Sequence, residues 1–157
     1  MTRPVHRKKT SRVPNFTPAP HANTPDRWPI VLALFGLGNL VNGAWMLASP
    51  AHWYIHLPAN VPGTGPLNEH FVRDIGCIFF LLGVLLLVSI RRRELRLAAM
   101  VAASAYATAH ALVHVFDSMR GLLAPGHWRF DLGPVYVGTL LLVALTWRLA
   151  REERPYR

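Results

Sequence analysis

One cysteine, Cys77, is all the thiol chemistry in the sequence. An intrachain disulfide and a cysteine-rich zinc site are therefore excluded. Its place inside an apolar run makes a buried structural thiol the expected role. Acids are scarce too: 8 Asp and Glu stand against 17 Lys and Arg, a formal net charge of +9. Nucleotide and hydrolase signatures are missing. There is no phosphate-binding loop, no Gly-x-Gly-x-x-Gly turn, no serine nucleophile elbow and no His-Glu-x-x-His helix. Gly63-Thr64-Gly65-Pro66 is too short to cradle a nucleotide and shapes a loop instead. The most apolar stretches also lack the polar face that a soluble amphipathic helix carries. From Cys77 to Ile90, Ser89 is the only clearly polar residue.

What the chain has instead is apolar residues gathered into blocks. Hydrophobic residues make up 52% of it and charged residues 16%. Four runs, at about 28–48, 70–90, 95–116 and 132–150, each match the length of a helix crossing a roughly 30 Å hydrocarbon layer. In lipid every backbone polar group needs an internal partner, which makes helices the natural form of such runs. The expected fold is all-α, a polytopic membrane four-helix bundle over 28–150.

The basic residues fall in three groups. Arg3, Arg7, Lys8, Lys9, Arg12 and Arg27 precede the first run. Arg91, Arg92, Arg93 and Arg96 separate the second from the third. Arg148, Arg151, Arg154 and Arg157 close the fourth. If the runs cross in turn, all three groups share one side, and the positive-inside rule places both termini in the cytoplasm. Trp28 and Trp147 then mark the inner interface; Trp45, Trp53, Tyr54 and Trp128 mark the outer one. Contact with anionic membrane lipid accounts for the charge, and no nucleic-acid motif accompanies it, so no nucleic-acid partner is expected. Residues 1–27, with Pro4, Pro14, Pro18, Pro20 and Pro25, read as a flexible basic cytoplasmic arm. Residues 151–157 read as a basic cytoplasmic tail.

Within the first run, Gly36, Gly38, Gly43 and Ala44 offer small surfaces for close helix contact, and Asn39 and Asn42 place amides in the same span. Pro50 ends it. The following loop, rich in Pro and Gly, carries His52, Trp53, Tyr54 and His56, a candidate cap over the bundle.

The chemistry sits in two helical patterns. His70 and Asp74 lie one turn apart at the head of the second run. His110 and His114 have the same spacing near the end of the third, with Asp117 three residues on. Ionisable groups at membrane depth are costly and persist by pairing, binding an ion or lining a wet cavity. The second helix descends and the third ascends, so His70 and His114 fall at one level. Asp74 and His110 fall about 6 Å deeper. His70, Asp74, His110 and His114 are therefore the expected ligands of a transition metal such as iron, zinc, manganese or copper near the outer face. Glu69 and Asp117 are the expected proton-transferring carboxylates of any metal-assisted redox or hydrolytic step. His52, His56 and His127 stand ready to complete the site from loops.

Other readings use the same residues. Haem b would take His70 with His110 or His114 as axial ligands, the small side chains of the third run making room for it. A quinone or another ligand is a further candidate. An accessory or assembly role, as a homo-oligomer or in a larger membrane complex, is compatible with the glycine and alanine faces. Transport is disfavoured, because no broken helix pair or polar path through the inner half is visible.

With the four-span plan over about 28–150, the segments Asn68-Glu69-His70-Phe71-Val72-Arg73-Asp74 and His110-Ala111-Leu112-Val113-His114 sit in a chain that resembles small DoxX-like and related four-helix bacterial inner-membrane proteins. The resemblance is one of architecture and hydropathy. It implies a bacterial inner-membrane location and assigns neither an activity nor a catalytic residue.

Overall fold

The computed structural model describes residues 26–153. The expected arm over 1–27, apart from Asp26 and Arg27, lies outside the described residues, as do residues 154–157 of the expected tail. The described residues form six α-helices: α1 (Trp28–Ala48), α2 (Pro50–His56), α3 (Glu69–Arg91), α4 (Arg96–Met119), α5 (Trp128–Asp131) and α6 (Gly138–Glu152). Short 3-10 turns at Val61–Thr64 and Arg93–Leu95 precede α3 and α4. Among the described residues, four helical segments are long and apolar enough to cross a membrane: Trp28–Ala48, Glu69–Arg91, Arg93–Met119 and Trp128–Glu152.

Local chemistry sets these limits. Proline in the first turn of α1 needs no amide partner there, and Pro50 starts α2 directly after α1 ends. Asn68 caps α3, its side chain accepting from the amides of His70 at 3.1 Å and Phe71 at 3.3 Å. The fourth segment departs from expectation. It starts at Trp128 rather than 132 and runs through a π-helical turn, Leu132–Val137. Pro134 lies in that turn. Its ring crowds the carbonyl one turn back in an α-helix, and the wider turn relieves this by letting the Gly138 amide donate to the Gly133 carbonyl, five residues back.

The helices pair as two antiparallel hairpins, α1 with α3 and α4 with α6. Glycine sets the first. Gly43 lies over Gly76 and the Phe80 backbone, and Gly83 over the Leu40 backbone. Gly36 lies against Gly83 and Leu87. Spaced seven apart on both helices, these glycines keep one face of each backbone close to the other. Gly38 faces open space. Hydroxyls join the second hairpin: Ser104 and Thr146 meet at 2.7 Å, and Thr139 donates to the Ala107 carbonyl at 3.3 Å.

The core, formed by Leu32, Leu86, Ala99, Met100, Ala103, Leu142 and Leu149, lies towards the end where α1 starts and α6 finishes. There the buried Arg96 donates to the Ser89 and Ile90 carbonyls and to Asp26 at 2.9 Å. Trp28 reaches Glu152 at 2.7 Å. The opposite, distal half is packed around a cavity instead. Cys77 is exposed on α3, not buried as expected. A residue in an apolar run can face outwards, and α3 turns Gly76, Gly83, Leu86 and Ser89 inwards.

Candidate metal centre

Three elements converge at the distal end. His114 comes from the last turns of α4, His127 immediately precedes α5, and Asp131 closes α5. The i,i+4 interval sets His127 and Asp131 on one helical face. His114 Nδ1 lies 2.9 Å from Asp131 Oδ2, and His127 Nε2 lies 3.5 Å from Asp131 Oδ1. One donor atom from each residue falls within 4.8 Å of the other two. This is a buried His/His/Asp cluster able to coordinate a metal ion.

Burial gives the cluster its character. Asp131 is 1% exposed and His127 2%. A carboxylate taken out of water costs several kcal/mol unless a cation or strong donors compensate it. Among the described residues no lysine or arginine pairs with Asp131; its only ion-pair partners are the two imidazoles. Both ring nitrogens of His127 lack a hydrogen-bond partner. Buried donors and acceptors are ordinarily satisfied; the 3.5 Å approach of Nε2 to Asp131 falls short of a hydrogen bond, and the ring can take a water or an ion.

The donor set fits a divalent transition ion. With bonds of about 2.1 Å, ligand atoms on neighbouring vertices stand about 3.0 Å apart at right angles and about 3.4 Å apart in a tetrahedron. The 2.9 and 3.5 Å contacts run to the two different oxygens of Asp131 and bring all three side chains within reach of one ion. Two imidazoles with one carboxylate are intermediate donors suited to zinc, iron or manganese, and they leave coordination positions open.

A roof closes over the cluster. Gly63, in the 3-10 turn, comes so near His127 that a Cβ there would stand 3.1 Å from Nδ1. The Ala124 amide donates to the Gly63 carbonyl at 3.2 Å, joining the two distal loops. The short helix α2 supplies the expected cap. Its Trp53 turns inwards rather than marking an interface and donates to Asn42 Oδ1 at 2.9 Å.

Beneath the roof lies a cavity of about 620 Å³ between the two hairpins. Its walls are almost wholly apolar, with Phe35, Ile75, Phe79, Val135 and Leu142 among them. His110, His114, His127 and Asp131 stand at its distal end. His110 packs edge-on to His114, ring centroids 4.6 Å apart, and stacks on Tyr106.

The structure divides the four expected ligands. His114 joins the cluster, and His110 lines the same cavity outside the tight group. His70 and Asp74 do not join them. They pair with each other at 3.4 Å on the outer surface of α3, with side chains 81% and 56% exposed. The two helices share a level, as their lengths require, but α3 is rotated so that its glycine seam faces α1. The same rotation keeps His70, the proposed second axial ligand of a haem, out of the cavity. Glu69 pairs with Arg73 at 3.0 Å, and Asp117 is half-buried outside the cluster. Among the loop candidates, His127 enters the site. His52 accepts from Trp45, and His56 contacts the His52 carbonyl, so both are engaged elsewhere. Asp131 was not among the expected ligands. Its signal is the His127-x-x-x-Asp131 spacing, the same as that of His70 and Asp74.

Comparison of the chain with protein-family models, with curated proteins and with solved structures finds no match.

Proposed function

We propose that this chain is a multi-pass membrane protein that holds one divalent transition metal on His114, His127 and Asp131, at the head of an apolar chamber. The observation that carries this reading is the sealed Asp131 carboxylate beside a His127 ring with both nitrogens unpartnered. A hydrogen bond between His114 and Asp131 alone would leave the buried His127 ring with only its 3.5 Å approach to Asp131. A metal balances the charge and occupies a ring nitrogen. Three protein donors leave room for a substrate oxygen, and a bound metal would supply Lewis acidity or redox capacity to it. Around it, Gly63 and the Ala124 turn cover the cluster from the distal side.

The charge pattern favours a topology with both termini in the cytoplasm and the metal at the outer face of a bacterial inner membrane. The test is gentle purification in detergent followed by elemental analysis. Near one equivalent of non-haem metal, lost in folded His114→Ala and His127→Ala proteins, supports the reading. Metal content unchanged by both substitutions refutes it.

A second, compatible reading is self-association through α3, favoured by the exposed His70–Asp74 and Arg73–Glu69 pairs on an otherwise apolar helix. Two copies related by a twofold axis along the membrane normal would set His70 against the partner's acids at the same depth. This arrangement is self-complementary in charge.

A further inference from the structure

We infer that the chamber receives a lipophilic molecule of roughly twenty non-hydrogen atoms, taking about 30 Å³ for each, whose oxygen-bearing head meets the His114/His127/Asp131 cluster. The contact at the head rests on the metal reading above; the apolar body of the ligand does not. An interior of about 620 Å³ is drug-sized. Left empty, its apolar walls would forfeit dispersion contacts. Water is a poor filler, because each buried molecule needs two to four polar partners.

Polar wall atoms are largely engaged within the protein. Asn39 donates to the Phe35 carbonyl at 2.8 Å. Asn42 accepts from Trp53 and contacts the Met46 sulfur. Thr139 donates to Ala107. The unpartnered His127 ring is 2% exposed and stands at the distal end of the cavity. Largely apolar walls with polar side chains gathered at the distal end, and the Tyr106 ring beneath them, recognise a molecule of matching polarity: a hydrocarbon body with a carbonyl, hydroxyl or carboxyl end.

The experiment uses the full chain in lipid nanodiscs, loaded with cobalt(II) and titrated with straight-chain alkyl hydroxamates from two to twelve carbons. The head of these probes binds transition metals, and binding is read from the visible cobalt band. Affinity is expected to rise on the order of fourfold per methylene through the series, whose longest member is still smaller than the chamber. Gly138→Leu supplies the control. Gly138 lines the chamber, and a Cβ there meets only the Gly133 carbonyl, at an ordinary 3.5 Å. This variant is expected to bind the two-carbon probe like the parent and to lose the gain with chain length. A flat series in the parent, or an equal gain in Gly138→Leu, overturns the lipophilic ligand while leaving the metal in place. Bound cobalt that ignores every hydroxamate overturns the contact at the head. If cobalt itself does not bind, the metal reading fails, and the body is tested alone with dodecanol on metal-free protein. A thermal shift in the parent that Gly138→Leu abolishes supports the chamber; an equal shift in both overturns it.

Discussion

Replacing Asp131 with asparagine separates the metal reading from a purely structural His–Asp pair, because the two predict opposite signs. The side chain keeps its shape, and its amide oxygen still accepts from His114 Nδ1, 2.9 Å away in the parent. In metal-free protein the substitution removes a buried charge, so stability should hold or rise. With zinc the ordering inverts. At a zinc concentration one hundred times Kd, the parent gains about 2.7 kcal/mol, a rise in Tm of roughly 5–10 °C for a chain of this size. Loss of the only anionic donor should weaken zinc about a hundredfold, using the upper end of outer-shell losses as a conservative bound. The same zinc concentration then equals the variant's Kd and gives about 0.4 kcal/mol, or about 1 °C. The assay is thermal unfolding in detergent, with and without zinc, on both proteins. Equal zinc shifts in Asp131→Asn and parent would refute the site. A metal-free variant several degrees less stable than the parent would show that the carboxylate serves the fold instead.

His70→Ala should leave bound metal unchanged by elemental analysis, since His70 and Asp74 pair outside the cluster; loss of half or more of the metal would return them to it. Gly43→Ala should cost about 1–3 kcal/mol, because its new Cβ meets the Phe80 backbone. Gly38→Ala, facing open space, should be neutral or stabilising by about 0.5–1 kcal/mol; equal effects in denaturant titrations would contradict the glycine seam. Asp26, outside the spans, has its carboxyl held below the usual range chiefly by the hydrogen bond from Arg96, with the Trp28 amide and Arg93 adding against the opposing effect of burial. Its folded pKa lies below the unfolded value of about 3.9, so the unfolded chain binds more protons between the two. That stability is complete above the unfolded pKa and lost as pH falls through the folded one. Asp26→Asn should flatten this acid limb in melts from pH 6 down to 3, and an unchanged limb would contradict the assignment. Self-association through α3 should let oxidant link the lone Cys77, three residues beyond Asp74 and exposed, to its copy in native membranes; a monomer throughout would refute that contact.

The sequence resolves α1 to its observed ends and α3 to within a residue, because Pro29, Pro50 and Asn68 punctuate apolar runs whose length is otherwise unambiguous. The fourth span is less legible. Its first turn, Trp128 to Asp131, holds two charges, so hydropathy places the start after the aspartate that matters most. Depth along α3 and α4 follows from helix rise, but rotation does not. The clue to rotation was the glycines. Asp74 precedes Gly76 by two residues, about 200° around the helix, so a seam at Gly76 turns Asp74 away from the bundle. The heads of the second and fourth apolar segments are alike: His70-Phe71-Val72-Arg73-Asp74-Ile75-Gly76 and His127-Trp128-Arg129-Phe130-Asp131-Leu132-Gly133. In the first the glycine packs and the pair faces outwards. In the second Gly133 is open, and the pair turns inwards to His114.

X-ray absorption at the metal edge of the purified, singly loaded protein tests the central claim most directly. The account predicts a nitrogen and oxygen shell at about 2.0–2.2 Å, with outer scattering from two imidazoles. A sulfur shell at about 2.3 Å, or a shell without imidazole scattering, would contradict it.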